Sequence, residues 1–187
     1  MSEITISSDF NLVIPIEEEN TLWVHSMPIP KEVFKKFYLP LSKAFSVLHA
    51  EGINMLAGPK ISIYLLEEVA EKMGQLENVK AGLINEIRRL TSVCVLDEKG
   101  WIVLPLEVAV KQKKISQDSV EEVISAAVFF TLNWHGLPRL IRKTMIQSVA
   151  EMHNWSLTSL MPMEWINTLQ TSTPVEDSTT PTSSVPH

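Results

Sequence analysis

The sequence predicts a mainly α-helical α+β domain, a compact bundle of about five to seven helices with a small N-terminal β region, a central β-hairpin and a disordered C-terminal tail. Three observations predict it. Through most of the chain apolar residues recur at three- and four-residue steps, the helical period. Residues 4–24 and 93–104 abandon that period for short β-prone runs bounded by turn residues. From Gln170 onward the composition shifts to Ser, Thr and Pro, in QTSTPVEDSTTPTSSVPH. The chain divides accordingly into a β-rich N-terminal segment over 1–29 packed on the core, a helical domain over 30–169 and a tail over 170–187.

The β region comprises Ile4–Ile6, Leu12–Ile16 and Thr21–Val24, short enough to pair as an antiparallel sheet, with Glu17–Asn20 as a polar connection. Pro15 confines its strand to an edge or a strand end. Trp23 is expected to pack against the helical body, and His25 has no evident partner. After the extended Ser26-Met27-Pro28-Ile29-Pro30, a helix carries Val33, Phe34, Phe37, Tyr38, Leu41, Ala44, Phe45 and Leu48 on one wide apolar face. Burial of such side chains is worth roughly 1.5–3 kcal/mol each, enough to seed a core. Pro40 is expected to kink this helix, which ends near Gly52.

Gly58-Pro59 opens a second helix with Ile61, Leu65, Val69 and Met73 along one face, and Gly74 closes it. A third, from Asn78 to Thr91, carries Val79, Leu83, Ile84, Ile87 and Leu90. Val93–Leu96 and Trp101–Leu104 then flank Asp97-Glu98-Lys99-Gly100 as a hairpin with a four-residue loop. Helices are expected over Leu106–Lys114, from the caps Ser116–Ser119 through Leu132, over Arg139–His153 and over Pro162–Leu169.

The net charge of −6 reflects the ends of the chain. Of 22 acidic residues, seven (Glu3, Asp9, Glu17, Glu18, Glu19, Glu176 and Asp177) lie where no Lys or Arg occurs, leaving 15 against 16 basic residues in the middle. Arg88-Arg89, Lys113-Lys114 and Arg142-Lys143 read as solvated helix surface, and nucleic acid is not an expected partner. No apolar run approaches the ~20 residues that cross a bilayer, so no membrane partner is expected. The start MSEITISSDF lacks the layout of a secretory signal, which places the protein in the cytoplasm of the cell that makes it. Cys94, the single cysteine, reads as a small buried hydrophobe between Val93 and Val95.

Catalytic signatures are lacking. No G-x-S-x-G, glycine-rich phosphate loop, H-E-x-x-H, EF-hand loop or C-x-x-C pair occurs. His25, His49, His135, His153 and His187 lack zinc-site spacing, and the adjacent carboxylates Glu67-Glu68 and Glu121-Glu122 diverge by about 100° on a helix. The expectation is a protein that is not an enzyme and uses neither cofactor nor metal. Two apolar stretches are candidates for protein interaction instead. Phe129 and Phe130, with Leu132 and Trp134, wrap more than one side of their helix, so either that helix is central or part of its surface meets another chain. Met161 and Trp165, with Leu157, Leu160 and Met163, form a Met- and Trp-bearing stretch suited either to an adaptable surface or to core filling.

Several stretches carry a family resemblance. They are Val24-His25-Ser26-Met27-Pro28-Ile29-Pro30 with Val33-Phe34, Gly58-Pro59, Leu83-Ile84-Asn85-Glu86-Ile87-Arg88-Arg89-Leu90, Trp101 with Pro105-Leu106, Val128-Phe129-Phe130, Thr158-Ser159-Leu160 and Ser183-Ser184-Val185-Pro186. In these the chain resembles a family of small proteins encoded among the structural genes of tailed bacteriophages, some labelled tail assembly chaperones. The resemblance implies binding of the tape-measure protein or tail-tube subunits during virion morphogenesis in the host bacterial cytoplasm, with copies of the same chain as a further partner. Its alternative is a structural component of the tail or head–tail region retained in the virion. It transfers no residue-level motif.

Overall fold

A computed structural model describes residues 10–16, 21–53 and 55–170. The expected strand Ile4–Ile6, the connection Glu17–Asn20 and the Ser/Thr/Pro tail lie outside the described residues. In chain order the elements are β1 (Asn11–Pro15), β2 (Leu22–Ser26), α1 (Lys31–Lys36), α2 (Tyr38–Ala50), α3 (Gly58–Lys72) and α4 (Leu76–Asn78). A π-helical segment (Val79–Ile84) leads into α5 (Asn85–Arg89), followed by β3 (Thr91–Asp97), β4 (Gly100–Pro105), α6 (Leu106–Lys111), α7 (Gln117–Gly136), α8 (Arg139–Met152), β5 (Ser156–Thr158) and α9 (Pro162–Gln170).

The fold is α+β, and its strands form one five-stranded antiparallel sheet in the order β4-β3-β2-β1-β5. The N-terminal strands and the central hairpin therefore share a sheet, joined where β2 pairs with β3 through Val24 and Val93. β5 was not legible in the sequence. Three residues are too few for an alternation, and the strand exists because β1 offers an edge at Asn11–Val13. That pairing stops before Pro15, which ends its strand. The hairpin turn is also tighter than expected, with Asp97 opposite Gly100 and only Glu98 and Lys99 between them.

Alternation along the strands sorts two cores. Leu12, Ile14, Leu22, Val24, Val93 and Val95 face the main helical core. Val13, Trp23 and Cys94 face the other way, under Trp165 and Ile166 of α9. Trp23 thus packs edge-to-face on Trp165, ring centroids 5.2 Å apart, on the side of the sheet away from the helical body.

The centre of the main core is α7, so of the two alternatives the sequence left for the helix of Phe129 and Phe130 the structure takes the central one. Ser116 caps α7, its Oγ accepting from Ser119 N–H at 3.1 Å, and thirteen of its residues are buried. It touches α2, α3, α5, α8 and β1, so a helix apolar all round is enclosed all round. The expected single helix around Pro40 is two. Pro40 has no N–H for the Lys36 carbonyl, α1 stops at Lys36, and Phe37 takes φ −107°, ψ 20° before α2 begins. Only Phe37, Leu41, Ala44 and Leu48 of its wide apolar face are fully buried, while Tyr38 is 57% exposed.

Candidate protein-interaction site

The candidate residues separate by depth. Phe129, Phe130 and Trp134 are buried in the main core, with Phe130 stacked on Trp134 at 5.6 Å between ring centroids. Phe129 also fills the space beside Gly58, where a Cβ would come within 2.5 Å of its Cε2, so α3 approaches α7 closely only because Gly58 lacks a side chain. Phe129 and Phe130 line a void of about 10 Å³, roughly one water-sized sphere, with Leu12, Met55, Ile146, Val149 and Trp155 around it. Trp165 is buried on the far face of the sheet. Met161 is half exposed and stands apart from the other four. The five therefore do not form one surface, and in this fold four of them are core.

Concave surface lies elsewhere. Between α2 and α3 runs an open groove of about 450 Å³. Val47 from α2 and Leu65, Val69 and Met73 from α3 make its apolar floor, and Ser42, Lys43, Ser46, Glu68 and Lys72 its polar rim. Leu65, Val69 and Met73 stand four residues apart and make a stripe along α3. The sequence placed that stripe correctly on one face but not its depth. α3 turns Ser62, Leu66, Val69 and Ala70 inward, and Leu65 and Met73 stay half exposed beside them. Two of the inward residues are small, which brings the helix close to α7 and leaves the longer side chains at the groove. Lys72 pairs with Glu68 one turn earlier along the rim.

Few groups here are tuned for proton chemistry. Cys94 is buried under α9, and desolvation pushes its thiol up to about 12, so it stays protonated and unreactive. Burial lowers the pKa of His25, whose ring is committed to a main-chain carbonyl. Glu86 is held below the usual carboxylate range by its hydrogen bonds to Arg89 on the helix surface. Among the described residues, no three His, Cys, Asp or Glu side chains gather as a metal site. Among the same residues, no helix is long and apolar enough to cross a membrane.

Comparison with protein-family models, with curated proteins and with solved structures found no match to this chain.

Proposed function

We propose that the chain is a bacteriophage tail assembly chaperone-type protein that holds an amphipathic helix of the tape-measure protein during virion morphogenesis. The observation that carries the reading is the groove between α2 and α3. Its floor is a helical stripe of Leu65, Val69 and Met73 beside Val47, and its rim carries Lys43, Lys72 and Glu68. An amphipathic helix lays its apolar side chains into a trough of this kind and keeps its polar side at the rim. Met73 adds a flexible thioether that adapts to a varied sequence, which suits a client with many imperfect sites. An open groove of this size gives modest affinity for each site, and a long client that offers many sites holds the protein by repetition.

The test is co-expression of the full chain with the tape-measure protein, followed by affinity capture. The wild type is expected to recover the client in soluble form, and Leu65→Asp with Met73→Asp to lose it while keeping the wild-type circular dichroism. Mass spectrometry of purified virions addresses the alternative role. A chaperone is absent from the particle, whereas a structural component persists at stoichiometric copy number.

A further inference from the structure

At one end of the far face of the sheet, apolar side chains give way to polar ones. Alternation along β2 puts His25 on the same face as Trp23, and the register sets Val13 of β1 and Ser92 of β3 on either side of it. His25 is nonetheless 0% exposed. Its cover is the segment that leaves β5, where the Leu160 carbonyl accepts from the His25 ring at 3.0 Å and from Nδ2 of Asn11 at 2.9 Å. From Leu160 the chain runs as a strap through α9 to Gln170. Trp165 and Ile166 hold the strap over Val13, Trp23 and Cys94, and Met161 and Met163 stay exposed.

The space under the strap suits a neutral imidazole. Nε2 is the donor to Leu160, and Nδ1 is buried with no acceptor among the described residues. On this face the neighbours are uncharged. They are Asn11 and Val13 from β1, Ser92 and the protonated thiol of Cys94 from β3, Thr158 from β5 and, further along, Val103 from β4. Glu164, the one carboxylate of the strap, accepts from the Met161 N–H at 3.0 Å at the start of α9. Beyond the Ser92–Pro105 end of the hairpin, Arg88 and Glu107 satisfy each other at 2.6 Å. The ring's own main-chain carbonyl favours the charged form, but burial outweighs it. A charge made here is best stabilised when the strap lifts and water reaches the ring.

We propose that the strap from Leu160 to Gln170 is an acid-released cover: a proton taken up by His25 undocks α9 and uncovers Trp23, Trp101 and Val103 while the helices around α7 stay folded. The sign follows from linkage. With the strap open the ring returns to its ordinary value of about 6.5, and with the strap closed it binds a proton less readily. Above about pH 6.5 the cover is therefore shut. Below it, the ratio of open to closed strap rises by up to about tenfold per pH unit, until the closed form also takes up the proton. The strap yields first because Trp165 and Ile166 are its main anchors, whereas α7 is enclosed all round. This device lies on the opposite side of the sheet from the helical body and does not depend on the chaperone reading.

Hydrogen exchange on the full chain, expressed as protection relative to a free peptide at the same pH, tests it. Amides from Trp165 to Leu169 are expected to be less protected than those of α7 at about pH 7, and to lose about tenfold or more of their protection by about pH 5. His25→Gln keeps a donor toward Leu160 and is expected to remove that loss. By NMR, the wild-type His25 ring is expected to titrate below its ordinary value, and the ring in Trp165→Ala, where α9 no longer covers it, at that value. If His25→Gln loses the wild-type circular dichroism, the two ring titrations decide alone. Equal protection of α9 and α7 at every pH overturns the proposal, because the strap then leaves only when the whole chain unfolds. So does a wild type whose α9 protection is indifferent to pH, a loss that persists in a folded His25→Gln, or one titration shared by wild type and Trp165→Ala.

Discussion

The ring of His25 hydrogen-bonds the Leu160 main-chain carbonyl through Nε2 at 3.0 Å, and the Nδ2 of Asn11 donates to the same oxygen at 2.9 Å. A carbonyl only accepts, so Nε2 carries the proton and Nδ1 is the bare nitrogen, buried without a partner among the described residues. These two bonds pin the chain where it leaves β5 to cross the far face of the sheet toward α9.

Stability is accordingly expected to fall in mild acid. Burial sets the folded-state pKa of His25 below 6.5, so between the two values the unfolded chain binds a proton that the native one does not. The contribution is fully present above pH 6.5 and is lost as pH drops toward the folded value, at up to about 1.4 kcal/mol per pH unit. Urea denaturation from pH 8 to pH 5 measures this slope. His25→Gln keeps a donor toward Leu160 without a titrating ring and is expected to flatten the His25 part of it.

The far face under α9 is expected to open separately from the helical core. Trp165 and Ile166 hold it against Val13, Trp23 and Cys94, a far smaller cluster than the one around α7. Trp165→Ala should release α9 and raise the rate at which Cys94 reacts with a thiol reagent by tenfold or more. Far-UV circular dichroism should lose no more than the signal of that helix. Equal Cys94 reactivity in wild type and variant would mean that α9 does not shield the thiol.

The sequence read through to the elements that depend on local periodicity and failed where partners decide. Ser116 at the start of α7, Gly58-Pro59 at the start of α3 and the hairpin around Glu98-Lys99 are local signals, and each element is present. Which helix is central depends on what surrounds it, and periodicity alone does not separate α2 from α7. The apolar run at 126–130 is the sign that left α7 either central or at an interface, since a helix with one wet side cannot carry it, and burial decides for the centre. The same ambiguity governed the interaction candidates. Phe129, Phe130 and Trp134 have the composition of a binding surface and the position of a core, and composition does not report depth. The groove went unseen because its floor is shared between two helices, Val47 on α2 and Leu65, Val69 and Met73 on α3.

Truncation separates the two classes of apolar residue. Phe129→Ala removes a ring enclosed by α3, α7 and α8 and is expected to cost about 3–5 kcal/mol of unfolding free energy. Leu140 is 94% exposed, and Leu140→Ser is expected to stay within about 0.5 kcal/mol of wild type. Chemical denaturation of both variants checks the contrast, and a Phe129→Ala protein of wild-type stability would show that the ring is not core.

Gly82 and Phe37 meet in a close contact of the main core. Gly82 lies in the π-helical segment between α4 and α5, and a Cβ there would sit 2.4 Å from Cζ of the Phe37 ring. The widened turn and the missing side chain together admit the residue at which α1 gives way to α2, so the break before Pro40 and the π-helix answer each other across the core. Gly82→Ala gains helix propensity of about 1 kcal/mol in an open helix, but here the methyl meets a buried ring. The ring is not a flexible chain end, and the net change is expected to be destabilising by about 1–3 kcal/mol. Phe37→Leu alone leaves a void and also destabilises the protein. In the double variant the smaller side chain makes room for the methyl, so the two losses should sum to less than their parts by at least 1 kcal/mol in a double-mutant cycle. Strict additivity in urea denaturation would show that the two residues do not share this space.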